Sequence, residues 1–298
     1  MPCFKPQDAY LLEEGGITYN SNHKGIQQPL TLPCRGCIGC RAERARQWAI
    51  RCTHEASMHK KNTFITLTYD DQHLPADSSL NYKHYQLFMK KLRKKYGTKI
   101  RFYMAGEYGS QTKRPHYHAI LFNHMFQDAT PHTTSKSGKP VLVSSELTQL
   151  WGKGFASIGE VNYTSCHYIA KYIIEKITGD PAEEHYRHIN KDTGEISQRT
   201  PEFNRMSLRP GIGKPWYDKY KRDIINTGSV VTDGHQTKIP AYYDRLFQED
   251  FPFEYDDYTY QKILMAHKFK KDNTEHRLQT REFCALEARK RNLNKTFI

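Results

Sequence analysis

The sequence predicts an α+β fold: a central, mainly antiparallel β-sheet flanked by helices, with extensions at both ends. Three observations predict it. A run rich in β-branched and aromatic residues, TFITLTY (63–69), is followed by a helical period and then by two more strand-like runs, KIRFYMAG (99–106) and HYHAILF (116–122). Only the polar turn EYGSQTKRP separates the last two, so they form an antiparallel pair. SCHYIAKYIIEKITG (165–179) then follows a helical pattern, so helices pack on a mainly antiparallel sheet.

The elements follow in order. Residues 41–59 read as a helix, with Ala45, Trp48, Ala49 and Cys52 recurring at three and four residues. The strand 63–69 ends in a loop at Pro75. Residues 80–96 place Tyr85, Phe88, Met89, Leu92 and Tyr96 on a helical period, with Gly97 as the stop. The strands at 99–106 and 116–122 come next, then a polar loop over 124–145 with weak strand potential, and a fourth strand at 155–162. The helix at 165–179 takes Thr164 or Ser165 as its N-cap and Gly179 as its C-cap. Beyond 180 the pattern weakens to a hairpin around Asp192–Gly194, ordered loops and short helices. We expect a Cys-rich segment and helix over 1–60, a core over 61–180, and an extension over 181–298 that packs on the core and contributes to nucleic-acid binding.

Charge narrows the partners. Lys and Arg number 45 against 32 Asp and Glu, a net charge of +13. Such an excess draws polyanions through long-range attraction and counterion release, so nucleic acid leads. An anionic membrane is the weaker alternative, because no basic amphipathic terminal helix stands out. No run approaches the ~18 apolar residues of a membrane span, and the N-terminus, MPCFKPQDAYLLEEGG, lacks a secretory pattern. The seven cysteines are odd in number, which argues against a disulfide framework.

RPHYHAILF (114–122) carries the first chemical signal. Strand periodicity sends His116 and His118 to one face and Tyr117, Ala119 and Leu121 to the other. Glu107 ends the preceding strand and falls across from His116 if the intervening residues turn. Cross-strand Cβ atoms sit about 4.5–5.5 Å apart, so a Glu/His/His cluster is within reach of one cation. Mixed nitrogen and oxygen donors suit Mn²⁺, Mg²⁺ or Zn²⁺. The plainer alternative is a pair of partly buried histidines bonded to backbone.

The second signal is Tyr168 and Tyr172, four residues apart on one helix face with Lys171 between them. Ile169, Ile173 and Ile177 form the neighbouring apolar stripe that seats the helix. A tyrosine hydroxyl, with its ordinary pKa near 10, is a weak nucleophile until a cation favours the phenolate or a metal polarises the phosphate it attacks. Attack on a DNA phosphodiester leaves a 5′-phosphotyrosine and a free 3′-hydroxyl, and keeps the ester energy for resealing. Two tyrosines allow one link to form while another is resolved. Core-edge aromatics are the plainer alternative.

FITLTY (64–69), RFYMAGEYG…RPHYHAILF (101–122) and YIAKYIIEK (168–176), in that order, resemble the replication initiators of small single-stranded DNA phages, especially the gokushovirus-like branch of the microviruses. These belong to the His-hydrophobic-His (HUH) endonuclease superfamily, here in its two-tyrosine form. The resemblance implies a palm-like, RRM-like core. It also implies a rolling-circle initiator that nicks and rejoins single-stranded origin DNA with Mg²⁺ or Mn²⁺. Glu107, His116 and His118 would then be the metal ligands, Tyr168 and Tyr172 the nucleophiles, and Lys171 the basic helper; FITLTY is expected to supply sheet structure only. The expected setting is the cytoplasm of an infected bacterial host, with a host helicase and replication machinery as partners and no membrane.

TLPCRGCIGCRAERARQW places Cys34, Cys37 and Cys40 in C-x₂-C-x₂-C spacing, which suggests a metal. A closed zinc site needs a fourth ligand: Cys3 is the natural one, with Cys52 and His54 as alternatives. Free or partly buried thiols and iron–sulfur or redox use remain open. The nearby Arg35, Arg41 and Arg44 are candidate phosphate contacts, as are Arg209 and Lys214 of RPGIGKPW (209–216). That segment fails as a phosphate-binding loop, since Leu208 stands where the first glycine is needed and Pro215 follows Lys214. Two competing functions stand beside the initiator: a single-tyrosine relaxase or transposase, and a non-catalytic, metal-containing DNA-binding protein.

Overall fold

A computed structural model describes residues 3–109, 112–135, 138–175, 179, 181–189 and 193–295, with backbone alone for 172–175 and 292–295. It falls into two compact units, Met1–Arg44 with Phe251–Ile298, and Ala45–Asp250.

In chain order the elements begin with β1 (Gln7–Leu12), β2 (Ile17–Thr18), β3 (Ile26–Leu32) and α1 (Ile38–Ser57). The core follows as β4 (Asn62–Tyr69), α2 (Tyr82–Tyr96), β5 (Arg101–Tyr108), β6 (Pro115–Phe122), β7 (Thr130–Thr134), β8 (Pro140–Val143), α3 (Ser145–Trp151), β9 (Gly154–Gly159) and α4 (Tyr163–Glu175). Then come α5 (Pro181–Tyr186), β10 (Arg187–Ile189), β11 (Ile196–Gln198), β12 (Phe203–Met206), α6 (Lys214–Thr227), β13 (Ser229–Thr232), β14 (His235–Lys238) and α7 (Ala241–Asp250). The last helices are α8 (Pro252–Lys268) and α9 (Glu275–Lys295). Among the described residues no helix is long and apolar enough to cross a membrane.

In the first unit, β2, β1 and β3 form a small antiparallel sheet. The second unit is built on a seven-stranded sheet in the order β12-β5-β6-β4-β9-β8-β7. Every pairing in it is antiparallel. The expected α+β architecture with helices on an antiparallel sheet is what the chain adopts.

Alternation along the strands gives this sheet two apolar faces. Ile65, Leu67, Tyr117, Ala119, Leu121, Ala156 and Ile158 point to one face, under Tyr85, Phe88, Met89 and Leu92 of α2 and Leu147 and Trp151 of α3. Tyr103, Ala105, Ile120 and Phe122 point to the other, under Ala49 and Cys52 of α1 and Cys166 and Ile169 of α4. Burying each of the large side chains contributes about 1.5–3 kcal/mol. β6 is therefore covered on both faces over its apolar half.

The segment that fails as a phosphate-binding loop is a brace. The buried carboxylate of Glu55 on α1 accepts the Gly213 N–H at 2.7 Å and Arg101 Nε at 2.6 Å. Burial would raise the Glu55 carboxyl, but His59, the Gly213 N–H and Arg101 hold it below the ordinary range. Arg101 also donates to the Pro210 carbonyl, and Arg51 to that of Ile212. Gly213 has φ +84, and a Cβ there would overlap the Tyr243 hydroxyl, so only glycine fits.

The structure moves several expected boundaries. α4 starts at Tyr163, not 165, because Asn162 is the cap: its Oδ1 accepts the Ser165 N–H at 3.0 Å, and Ser165 Oγ accepts the Asn162 N–H at 2.9 Å. This reciprocal pair satisfies two donors at the helix start. The fourth strand is β9, 154–159, and ends before Glu160. Residues 124–145, expected as a polar loop with weak strand potential, hold the β7–β8 hairpin and the start of α3. Gly179 is described, but 176–178 and the turn residues 190–192 lie outside the described residues.

Candidate metal and nucleophile site

Strand register builds the cluster. Glu107 on β5 pairs directly with His116 on β6, and His118 pairs with Ala105 on one side and Thr66 on the other. The Nε2 atoms of His116 and His118 lie 2.5 and 2.7 Å from Glu107 Oε1. Both other ring nitrogens are held from behind. His116 Nδ1 donates to the Arg114 carbonyl at 3.1 Å, and His118 Nδ1 is 2.9 Å from Thr66 Oγ1. Such support fixes ring orientation and leaves Nε2 facing inward. Glu107 and His118 are 6% and 5% exposed. One ligand atom from each of the three residues lies within 4.8 Å of the others, so the set could hold a metal ion.

The electrostatics are asymmetric. Burial opposes charge on His116, but the bond to Glu107 outweighs it and raises the imidazole above its ordinary range. Burial dominates at His118 and lowers it. Burial would also raise Glu107, yet the two imidazoles bring its carboxyl below the ordinary range.

α4 lies beside this cluster, pinned by its Asn162 cap and by buried Cys166 and Ile169. It brings the half-buried Tyr168 hydroxyl to 3.4 Å from His118 Nε2, with the two rings edge to face at 5.1 Å between centroids. The Phe64 ring stands edge to face with the same tyrosine, 6.3 Å between centroids. Lys171 Nζ stands 4.9 Å from the centroid of the Tyr168 ring. Tyr172 lies on α4 one turn later, and its side chain is outside the described residues.

Residues 62–177, a stretch that includes β4 and α4, match the family described as "Replication-associated protein ORF2/G2P". The chain is 32% identical to "Replication-associated protein VP4" of Bdellovibrio phage phiMH2K, over 99% of this chain and 88% of that protein. The chain belongs to the family of phage replication-associated proteins. Within that family it is also 31% identical to "Replication-associated protein ORF2" of Spiroplasma virus 4, over 88% of this chain and 85% of that one. It is 29% identical to "Replication-associated protein ORF4" of Chlamydia phage 1, over 79% of this chain and 59% of that one. No solved structure matches.

The family match contains Glu107, His116, His118, Tyr168, Lys171 and Tyr172, but neither the cysteines at 3, 34, 37 and 40 nor the 209–216 segment. The phiMH2K relative aligns across the extensions as well. Cys3, Cys34, Cys37 and Cys40 converge in the first unit, their sulfurs all within 4.8 Å of one another. Cys3 is thus the fourth member. Cys52 is buried in the apolar core of the second unit, and His54 is stacked there on Trp216 and bonded to the Val231 carbonyl. Backbone N–H groups of Cys34, Cys37, Phe4 and Cys40 point at the sulfurs of Cys3, Cys34 and, twice, Cys37. Burial would raise the Cys37 thiol, but these donors and the neighbouring thiols bring it to about 7. Arg35 and Arg44 are exposed and Arg41 half-buried in that unit; Arg209 is exposed, and Lys214 pairs with Asp218 one turn on.

Thr66 is the site residue that sequence reasoning passes over. FITLTY is expected to give sheet structure alone, yet its alternation places Thr66 and Thr68 on the histidine face, and a hydroxyl there is the available signal.

Proposed function

We propose that this chain is a rolling-circle replication initiator of the two-tyrosine HUH type, cutting and rejoining single-stranded DNA at a phage origin. The observation that carries this reading is the Tyr168 hydroxyl 3.4 Å from His118 Nε2, beside two imidazoles and a carboxylate drawn to one point. That donor set fits a divalent cation, Mg²⁺ or Mn²⁺, held by Glu107, His116 and His118. When bound, the cation would polarise the scissile phosphate and offset its developing charge.

The chain's own residues do the rest. Tyr168 loses its proton to solvent and its oxygen attacks phosphorus. The new Tyr–O–P bond replaces the bond to the 3′ oxygen, which takes up a proton and leaves as a 3′-hydroxyl. Lys171 favours the phenolate through its positive charge. Tyr172, one turn along, serves as the second nucleophile that releases and circularises a unit-length strand. The +13 net charge supports a DNA partner, as does the similarity to replication-associated proteins of phages. With no intact phosphate-binding loop, unwinding falls to a helicase, which we assign to the host.

The test is incubation of the full chain and Mn²⁺ with single-stranded oligonucleotides tiled across the genome that encodes it. A protein–DNA band that survives denaturation is expected with at least one oligonucleotide. No such band with Mn²⁺ or Mg²⁺ on any of them sinks the enzyme reading and leaves a non-catalytic DNA-binding protein.

We also assign structural Zn²⁺ to the four cysteines. Tetrahedral zinc with Zn–S near 2.3 Å puts its sulfurs about 3.8 Å apart, and Cys3 and Cys37 Sγ lie 4.0 Å apart. Four thiolates close the coordination shell, which marks a structural rather than a catalytic ion. Zinc analysis of the purified chain against Cys3→Ser checks this. Equal zinc in both, or none in the parent, removes the assignment.

A further inference from the structure

WGKGFASIGEVN (151–162) holds an aromatic, Phe155, that neither the metal cluster nor the tyrosine helix uses. Strand register says where that residue stands. Four directly paired residues cross the sheet in one row: Glu107 on β5, His116 on β6, Thr68 on β4 and Phe155 on β9. Ala156 and Ile158 pack into the α2 face, so alternation turns Phe155 and Ser157 to the histidine face. Phe155 stands two strand spacings, roughly 10 Å, from His116.

The histidine face is graded. Further along the strands, Tyr103, Ile120 and Phe64 are packed beneath α1 and α4. Along the row of His116 the cover thins across the sheet, from buried Glu107 through half-buried His116 and Thr68 to Phe155, which is 72% exposed. Thr68 and Ser157 flank it with hydroxyls. A single exposed aromatic means little by itself, but this one is placed by a close constraint. Gly154 has φ +131, and a Cβ there would run into the backbone of Thr68 and Asp70. Only glycine lets β9 enter the sheet so near β4. The Trp151 indole N–H donates to the Thr68 carbonyl at 3.1 Å, which holds the same junction from the other side.

We propose that Phe155 is a stacking platform for a nucleobase of single-stranded DNA, the base flanking the phosphate at the Glu107/His116/His118 cluster. The proposal rests on the reading of that cluster as a DNA-cleaving centre. An aromatic face accepts any base, so Phe155 positions the strand without selecting its sequence. Thr68 and Ser157 can donate to the sugar–phosphate on either side. The net charge of +13 supplies the attraction, and the ring fixes where along the sheet the strand lies.

The test measures anisotropy of a fluorescent, mixed-sequence single-stranded oligonucleotide on the full chain, without divalent cation. Phe155→Ala and Phe155→Leu are expected to weaken binding about tenfold or more, the loss typical of one stacked base. Leu keeps an apolar side chain and lacks only the ring. Phe155→Trp is expected to retain affinity, and its added indole fluorescence to be quenched on titration. Binding by Ala and Leu variants within about twofold of the parent, or an added indole signal that DNA leaves unquenched in Phe155→Trp, overturns the platform. The covalent-adduct assay separates this from the function itself. Adduct formation by the parent with Phe155-independent binding sinks the platform alone. Phe155-dependent binding with no adduct sinks the nicking reading alone.

Discussion

The hydroxyl of Thr66 lies 2.9 Å from Nδ1 of His118, and the two residues face each other directly across β4 and β6. The contact holds the imidazole from behind while its Nε2 faces Glu107. Thr66→Val keeps the shape and removes the bond. Metal affinity is expected to fall roughly 10–100-fold, with about 1 kcal/mol lost from stability. Calorimetric titration with Mn²⁺ checks this, and an unchanged affinity would show that Thr66 only fills space.

Tyr168 and Tyr172 should separate in function. Tyr168→Phe removes the hydroxyl beside His118 and should cut single-turnover adduct formation on the order of a thousandfold or more. Tyr172→Phe should still form the first adduct and fail to transfer the strand. If either variant carries out repeated nicking and transfer as well as the parent, one tyrosine suffices and a relaxase-like scheme replaces this one.

Gly213→Ala attacks the brace and leaves the site untouched. The residue sits at φ +84, and a Cβ would overlap the Tyr243 hydroxyl. Strain and overpacking together should cost about 2–4 kcal/mol, read as a lower urea midpoint. A midpoint equal to the parent would mean that the 209–216 segment carries no stability.

His54 ties stability to pH. Burial under Trp216 and Tyr243 depresses its imidazole to about 4. The unfolded value is about 6.5, so only the unfolded chain gains this proton as pH falls between the two. Its full contribution is present above about 6.5 and lost progressively towards 4, on the order of 3 kcal/mol in all. Denaturation midpoints at stepped pH should show the loss, and His54→Gln should flatten that part of the profile. An identical slope in the variant would place the titration elsewhere.

Strong periodicity makes the core legible. Tyr85, Phe88, Met89 and Leu92 are all buried on α2, and the His-x-His alternation puts Glu107 opposite His116. The missed elements lack such patterns. β3 carries Pro29 and is exposed at alternate and adjacent positions, and β7 is exposed throughout. Without a buried face, neither strand shows a period. α3 is one of the shortest helices, yet its ends are marked: Ser144 Oγ accepts the Leu147 N–H, and Gly152 adopts the left-handed conformation. The cap of α4 is misplaced from sequence because four residues in a row, Asn162 to Ser165, include three good caps and only geometry chooses Asn162. The brace at 209–216 is illegible because its partner, Glu55, lies over 150 residues away in the chain.

β6 is buried on both faces beyond its histidines. A strand clamped between two helical layers cannot shift locally, since any movement of His116 or His118 would have to carry Ile120, Leu121 and Phe122 with it. The candidate metal ligands are thereby insulated from changes at the exposed surface around Phe155. On the proposed reading, substitutions at the open end of the row would change how firmly a strand is held while Glu107, His116 and His118 keep their places, so grip can vary without disturbing the cluster.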